Sequence, residues 1–213
     1  MKLFFDILRC MVLFVGLALL ASCSAGGGKG DRPAAQPNAS SSTSTQSGAQ
    51  ASFWAALESL CGEAFEGRVV EDSTASPDFA RTPLVMHVRR CEDGRILVPF
   101  HIADDRSRTW VLTKIDGGLR LKHDHRHADG SEDDLTQYGG DTISPGTAMR
   151  QEFHADKFTA SLLPAARTNI WTVEIIPGQT FAYALRREGT DRRFRVEFDL
   201  SKPVAAPPAP WGH

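Results

Sequence analysis

The chain has 213 residues and a formal net charge of −2, with 24 basic and 26 acidic side chains. That length suits one ordinary domain with a real core, and no internal repeat is visible. The near balance of acid and base argues against nucleic acid or an anionic membrane surface as partner.

Lys2 and Arg9 flank the start of an apolar run, 11–20, that is too short to span a bilayer and has the layout of a secretory signal. The run ends in Leu20-Ala21-Ser22-Cys23, which resembles the lipobox of bacterial lipoproteins. The resemblance implies that 1–22 is a signal peptide and that Cys23 is acylated as the mature amino terminus, palmitate included. It also implies that the partner there is a lipid bilayer, because several acyl chains suffice for stable anchoring. Ser24 in place of Asp points to the outer membrane, facing the periplasm. The competing reading is a plain signal peptide with a chance cysteine.

Residues 23–51 read as the lipidated cysteine and a flexible tether. Gly, Ser, Ala, Gln and Pro dominate this stretch and cannot bury enough apolar surface to offset their ordering entropy. Such a tether has an r.m.s. reach of about 25–30 Å, enough to hold a domain clear of the headgroups.

The globular domain is expected over 52–202. Cys61 and Cys91 are its only cysteines, and in an oxidising compartment they are expected to pair. Ser52 reads as an N-cap before Phe53, Leu57 and Leu60 at helical spacing, with Gly62 past the end. Beyond this helix the pattern turns to period two. Strands are expected over 65–70, 84–91, 95–103, 107–115 and 119–127, then over 170–176, 180–187 and 192–200. The turns between them include Asp93-Gly94 and Asp116-Gly117-Gly118. A weaker strand candidate covers 147–154, and a helical turn over 158–163 ends at Pro164.

Eight or nine strands in series after one helix predict an all-β fold, an antiparallel up-and-down barrel of the lipocalin-like kind. The Gly-x-Trp signature of lipocalins is absent. A two-sheet β-sandwich or jelly roll is the alternative. The tail, 203–213, is Pro-rich and polyproline-like; it reads as a strap over its own domain or as a partner-binding segment.

In 119–127, Leu119, Leu121, His123, His125 and His127 share one strand face. The histidines therefore continue an apolar, inward row. With consecutive strands alternating in direction, His87, His101, His125 and His127 are expected at one rim beneath the long loop 128–146, with His123 one step deeper. Cys61 and Cys91 fall at the opposite rim. These histidines and Asp129 form the candidate ligand or metal site, a divalent transition metal being the cofactor considered. The competing reading is a hydrogen-bonded structural rim. Asp129, Glu132, Asp133 and Asp134 do not follow the spacing of an EF-hand calcium loop.

From Gly117 the spacing to His123, His125 and Asp129 is similar to the first cupin motif, with Asp129 where cupins have Glu. The second motif and its distal histidine are missing. The stretch 122–130, with Tyr138-Gly139-Gly140-Asp141 after it, resembles a family of uncharacterised bacterial secreted proteins, which implies no activity. No nucleophile elbow, phosphate loop or paired-carboxylate motif is present. The expected function is a lipid-anchored, non-enzymatic binding module of the cell envelope whose His-lined barrel mouth takes a small ligand or metal. A cupin-like metal-dependent enzyme and a structural envelope partner are the alternatives; either an unknown small ligand or an envelope protein would be its counterpart.

Overall fold

The computed structural model describes residues 47–76, 79 and 82–213. The signal segment, Cys23 and most of the tether lie outside the described residues. The elements in chain order are α1 (Gly48–Glu58), β1 (Ala64–Asp72), β2 (Leu84–His87), β3 (Arg90–Glu92), β4 (Arg95–Ile102), β5 (Asp105–Ile115), β6 (Gly118–His125) and β7 (Tyr138–Asp141). They continue with β8 (Arg150–Ala155), α2 (Lys157–Leu162), a 3-10 turn (Pro164–Ala166), β9 (Asn169–Ile176), β10 (Thr180–Arg187) and β11 (Arg193–Val204).

All eleven strands belong to one sheet, and apart from β2 and β3 each lies antiparallel beside its neighbours in the chain. β2 and β3 both run along β4, with Leu84 opposite Ile102 and Arg90 opposite Leu97. They are two segments of one interrupted strand, so the ring has ten positions. β1 and β11 close it, with Gly67 opposite Phe198 and Val69 opposite Val196. The fold is thus an all-β, closed up-and-down barrel with a short amino-terminal helix, and not the two-sheet alternative. Closure leaves no open edge along the ring.

Period two explains which side chains fill the barrel. On β11, Phe194, Val196, Phe198 and Leu200 are buried in the core, while Arg195 and Glu197 point outward and pair with each other at 2.8 Å. Arg195 also reaches Glu174 at 2.6 Å, and Arg150 bridges Glu174 and Glu152. The outer face of β8, β9 and β11 is therefore a lattice of exposed ion pairs, as the alternation of Arg and Glu implies.

The helix begins earlier than expected. Ser47, not Ser52, is the N-cap: its hydroxyl accepts from the Gln50 amide, and the Gln50 side chain accepts from the Ser47 amide. This capping box turns the last residues of the apparent tether into helix. Gln50 also donates to Thr142 Oγ1 at 3.1 Å and to the Ser144 carbonyl. Phe53, Trp54 and Leu57 are fully buried, so α1 packs its apolar face against the barrel core and adds to it. Cys61 and Cys91 form the expected disulfide, with Cα atoms 6.3 Å apart.

β7 lies inside the expected long loop, and the weak candidate after it forms as β8. A Tyr-Gly-Gly-Asp run reads as a turn, but the two glycines here serve close packing. A methyl group at Gly139 would overlap the Leu121 carbonyl oxygen, and one at Gly140 would overlap the His154 carbonyl oxygen. Only a bare backbone fits between β6 and β8. Gly139 also has φ +151°, a conformation that other residues rarely adopt.

The tail does fold back as a strap. The Trp211 amide donates to the Arg106 carbonyl at 3.1 Å, Arg106 Nη1 donates to the Ala209 carbonyl at 2.9 Å, and His213 Nε2 lies 2.5 Å from Asp124 Oδ2. The three contacts hold the last residues against β5 and β6.

These contacts generate a test in the mature chain carrying Cys23→Ser. Gly140→Ala is expected to cost about 3 kcal/mol in urea unfolding, because the new methyl meets backbone that cannot yield. Gly178→Ala, at φ +67° with open space around it, is expected to cost about 1–2 kcal/mol from backbone strain alone. Equal costs at the two sites would mean that β7 is not wedged between its neighbours.

Candidate functional site

The six candidate side chains do not share one site. The strand directions place the expected rim correctly, since β4 ends at Ile102, β5 starts at Asp105 and β6 ends at His125. What separates the histidines is the face on which each one lies.

On β4, Ile96, Val98 and Phe100 belong to the core, so Leu97, Pro99 and His101 point outward. On β2, Leu84 and Met86 belong to the core, and His87 points outward with Val85. Val85 is paired with His101 in the register. His87 and His101 are therefore neighbours outside the barrel, while His123 and His125 are inside it. Both outer histidines are nonetheless buried, at 6% and 3% exposure. Burial pushes the His87 imidazole below its usual pKa, against an opposing hydrogen bond to the Gly62 backbone. Burial, then the charges of Arg106 and His87, push His101 down to about 4.

His123 belongs to the interior row Val98, Trp110, His123 and Tyr138, which the register sets side by side across four strands. Its Nδ1 lies 3.0 Å from the Tyr138 carbonyl and its Nε2 lies 2.7 Å from the Tyr183 hydroxyl. A carbonyl can only accept, so Nδ1 carries the proton and Nε2 accepts from Tyr183. The ring stacks on Tyr138 at 4.4 Å and leans on Trp171 at 5.2 Å. Burial above all, with His125 adding a smaller push, lowers its pKa to about 3. It is a neutral imidazole with both nitrogens used.

Aromatic rings fill the space around it. Trp110 stacks on Tyr183 at 4.4 Å and on Phe100 at 5.0 Å, and Phe181 and Phe198 pack edge to face beside them. Aromatic side chains thus pack the barrel's interior around His123.

His125 lies one step nearer the rim. Its Nε2 is 3.2 Å from the Tyr138 hydroxyl. Burial and the Arg108 guanidinium hold its pKa down to about 4, against Asp133, Asp124 and Asp105. Burial raises the Tyr138 phenol to about 12, so that hydroxyl keeps its proton beside His125. His127 lies beyond β6 on the loop, half exposed and 3.9 Å from Asp133. Asp129 is exposed and closes its own turn, accepting from the Ser131 amide at 2.9 Å and hydroxyl at 2.6 Å. Those bonds lower its pKa. Among the described residues, no group of three or more His, Cys, Asp or Glu is arranged to hold a metal ion. The acidic loop is spent in the same way, with Glu132 on Arg126 at 3.1 Å and Asp133 accepting from the Leu135 amide.

Sequence reasoning kept Asp124 out of the candidate site and read it as a solvated acid beside the histidines. It points outward from β6, in the row Pro99, Thr109 and Asp124, all of them buried. Arg126, Thr136, Gln137 and His213 all donate to its carboxylate. One buried acid thereby fixes both the β6–β7 loop and the end of the chain. The alternation marked Asp124 as solvent-facing, and only the returning tail makes that face an interior.

No protein-family model, curated protein or solved structure matches this chain.

The buried imidazoles make stability depend on pH. His123, His125 and His101 have folded values of about 3, 4 and 4 against an ordinary 6.5. Below pH 6.5 the unfolded chain binds protons that the folded chain refuses, so stability falls as pH drops from 6.5 towards 4. Urea unfolding of the mature Cys23→Ser chain between pH 5 and 6.5 is expected to show this slope. His123→Gln, which keeps a donor and an acceptor, is expected to reduce it by about 1.4 kcal/mol per pH unit, the worth of one proton. An unchanged slope would mean that His123 is charged in the fold.

Proposed function

We propose that this chain is a lipid-anchored, non-enzymatic binding domain of the bacterial cell envelope that works through the outside of its barrel. One observation carries the binding surface outward: the interior row through Trp110, His123 and Tyr138 is packed, and both nitrogens of His123 have protein partners. A barrel that held its ligand inside would need the space those rings occupy.

The rest of the reading has separate supports. The lipobox-like Leu20-Ala21-Ser22-Cys23 supports acylation at Cys23 and membrane attachment. The Cys61–Cys91 bond fits an oxidising compartment such as the periplasm. The described residues contain no helix long and apolar enough to cross a membrane. The metal-dependent enzyme is the weaker reading, because its donors are divided between the two faces of the sheet and the loop. The counterpart is a small ligand or an envelope protein.

Cys23→Ser removes the thiol that acylation requires. Cell fractionation is expected to move the protein from the membrane pellet to the soluble periplasmic fraction. A variant that still sediments with membranes after a high-salt wash would place the anchor elsewhere.

A further inference from the structure

Outside the barrel, between β2, the end of β4 and the strap, lies a groove of about 400 Å³. Pro83 and Val85 form part of one wall and Pro207 and Pro208 part of another, and His101 and Arg106 are also lining residues. The groove depends on the strap, whose far side is held by Arg106 to Ala209 and by Trp211 to Arg106.

Two of its lining residues carry an incompletely satisfied group. His101 Nε2 is shut off from solvent and has no hydrogen-bond partner. Buried polar atoms are nearly always paired, and leaving one unpaired costs about 1–3 kcal/mol. Arg106 is half-buried, and its one side-chain hydrogen bond among the described residues goes to a neutral carbonyl. Two other arginines near this rim do have a carboxylate: Arg108 pairs with Asp105, and Arg126 with Asp124. Arg106 has no such ion pair among the described residues, although Asp104 lines the same groove.

We infer that this groove is a binding site for a small monocarboxylate with an apolar body, its carboxylate held by Arg106 and His101 and its chain lying between the prolines and Val85. The inference deepens the reading of an outward-facing binding domain by naming its ligand class. A guanidinium and a neutral imidazole N–H together offer a carboxylate both charge and a directed hydrogen bond. The prolines give an apolar wall that loses no side-chain entropy on binding. The volume lies within the range of small-ligand sites. Asp104, exposed at the lip of the groove, disfavours a second negative charge and so selects against dianions such as phosphate monoesters.

The test uses the mature Cys23→Ser chain, with octanoate as probe and octanol and octylamine as controls that share its chain. Isothermal titration is expected to give saturable octanoate binding, tighter than either control by about tenfold or more. Nitrogen-detected NMR is expected to show shifts in the His101 and Arg106 side chains. Arg106→Gln is expected to lower octanoate affinity by about tenfold or more and leave octanol unchanged. Because Arg106 also anchors the strap, Val85→Trp serves as the second variant: it fills the groove from the opposite wall and is expected to abolish binding. Octanol binding as tightly as octanoate, shifts confined to other residues, or no saturation below about 1 mM would overturn the inference. Each of these outcomes, together with normal release of Cys23→Ser from the membrane, would remove the site while leaving the anchored domain intact.

Discussion

A neutral imidazole lies at the heart of this barrel, donating to the Tyr138 carbonyl and accepting from the Tyr183 hydroxyl. Burying such a group unpaired would cost several kcal/mol, so the surrounding strands must bring both partners to it. Tyr138 comes on β7, which can reach β6 only because Gly139 and Gly140 let its backbone press against Leu121 and His154. Tyr183 comes on β10 and stacks on Trp110, the neighbour of His123 in the β5–β6 register. Register, glycine placement and aromatic packing thus converge on one hydrogen-bonded ring. The same arrangement packs aromatic rings around His123 in the barrel interior.

The outer face is divided into two kinds of surface. Around β8, β9 and β11 it is a net of exposed ion pairs, each worth little alone. Around β4, β5 and β6 it is buried, because the strap returns across it and ends at Asp124 through His213. A carboxylate at 2% exposure is tolerable only with several donors, and here four side chains supply them. The groove lined by His101 and Arg106 lies beside this second surface, where the strap forms a wall.

Much of the architecture could be read from alternation. The clean period of Phe194, Val196, Phe198 and Leu200 set one face of β11, and the Asp-Gly turns set the hairpins. What alternation could not supply was the tilt of each strand's face relative to its neighbours across breaks. His101 shares a rim with His125 as direction alone requires, yet it lies on the opposite side of the sheet, because Phe100 and not His101 continues the β4 core row. The expected four-histidine rim therefore dissolves into the outer pair His87 and His101, the inward His125 and the loop residue His127. Two further features depend on contacts distant in sequence. β7 was hidden because two glycines resemble a turn until a neighbouring backbone occupies their missing side chains. Asp124 appeared solvated until the last residue of the chain reached it. The disulfide, by contrast, was legible from compartment and count alone.

The account rests on His123 being a permanently neutral, doubly bonded core residue, and imidazole nitrogen NMR on the mature Cys23→Ser chain tests this most directly. The account predicts a slowly exchanging Nδ1–H, an Nε2 resonance typical of an unprotonated acceptor, and no change in either between pH 8 and pH 5. Titration of His123 near the ordinary histidine pKa of about 6.5, or displacement of its resonances by added zinc, would contradict it and restore the barrel mouth as a ligand site.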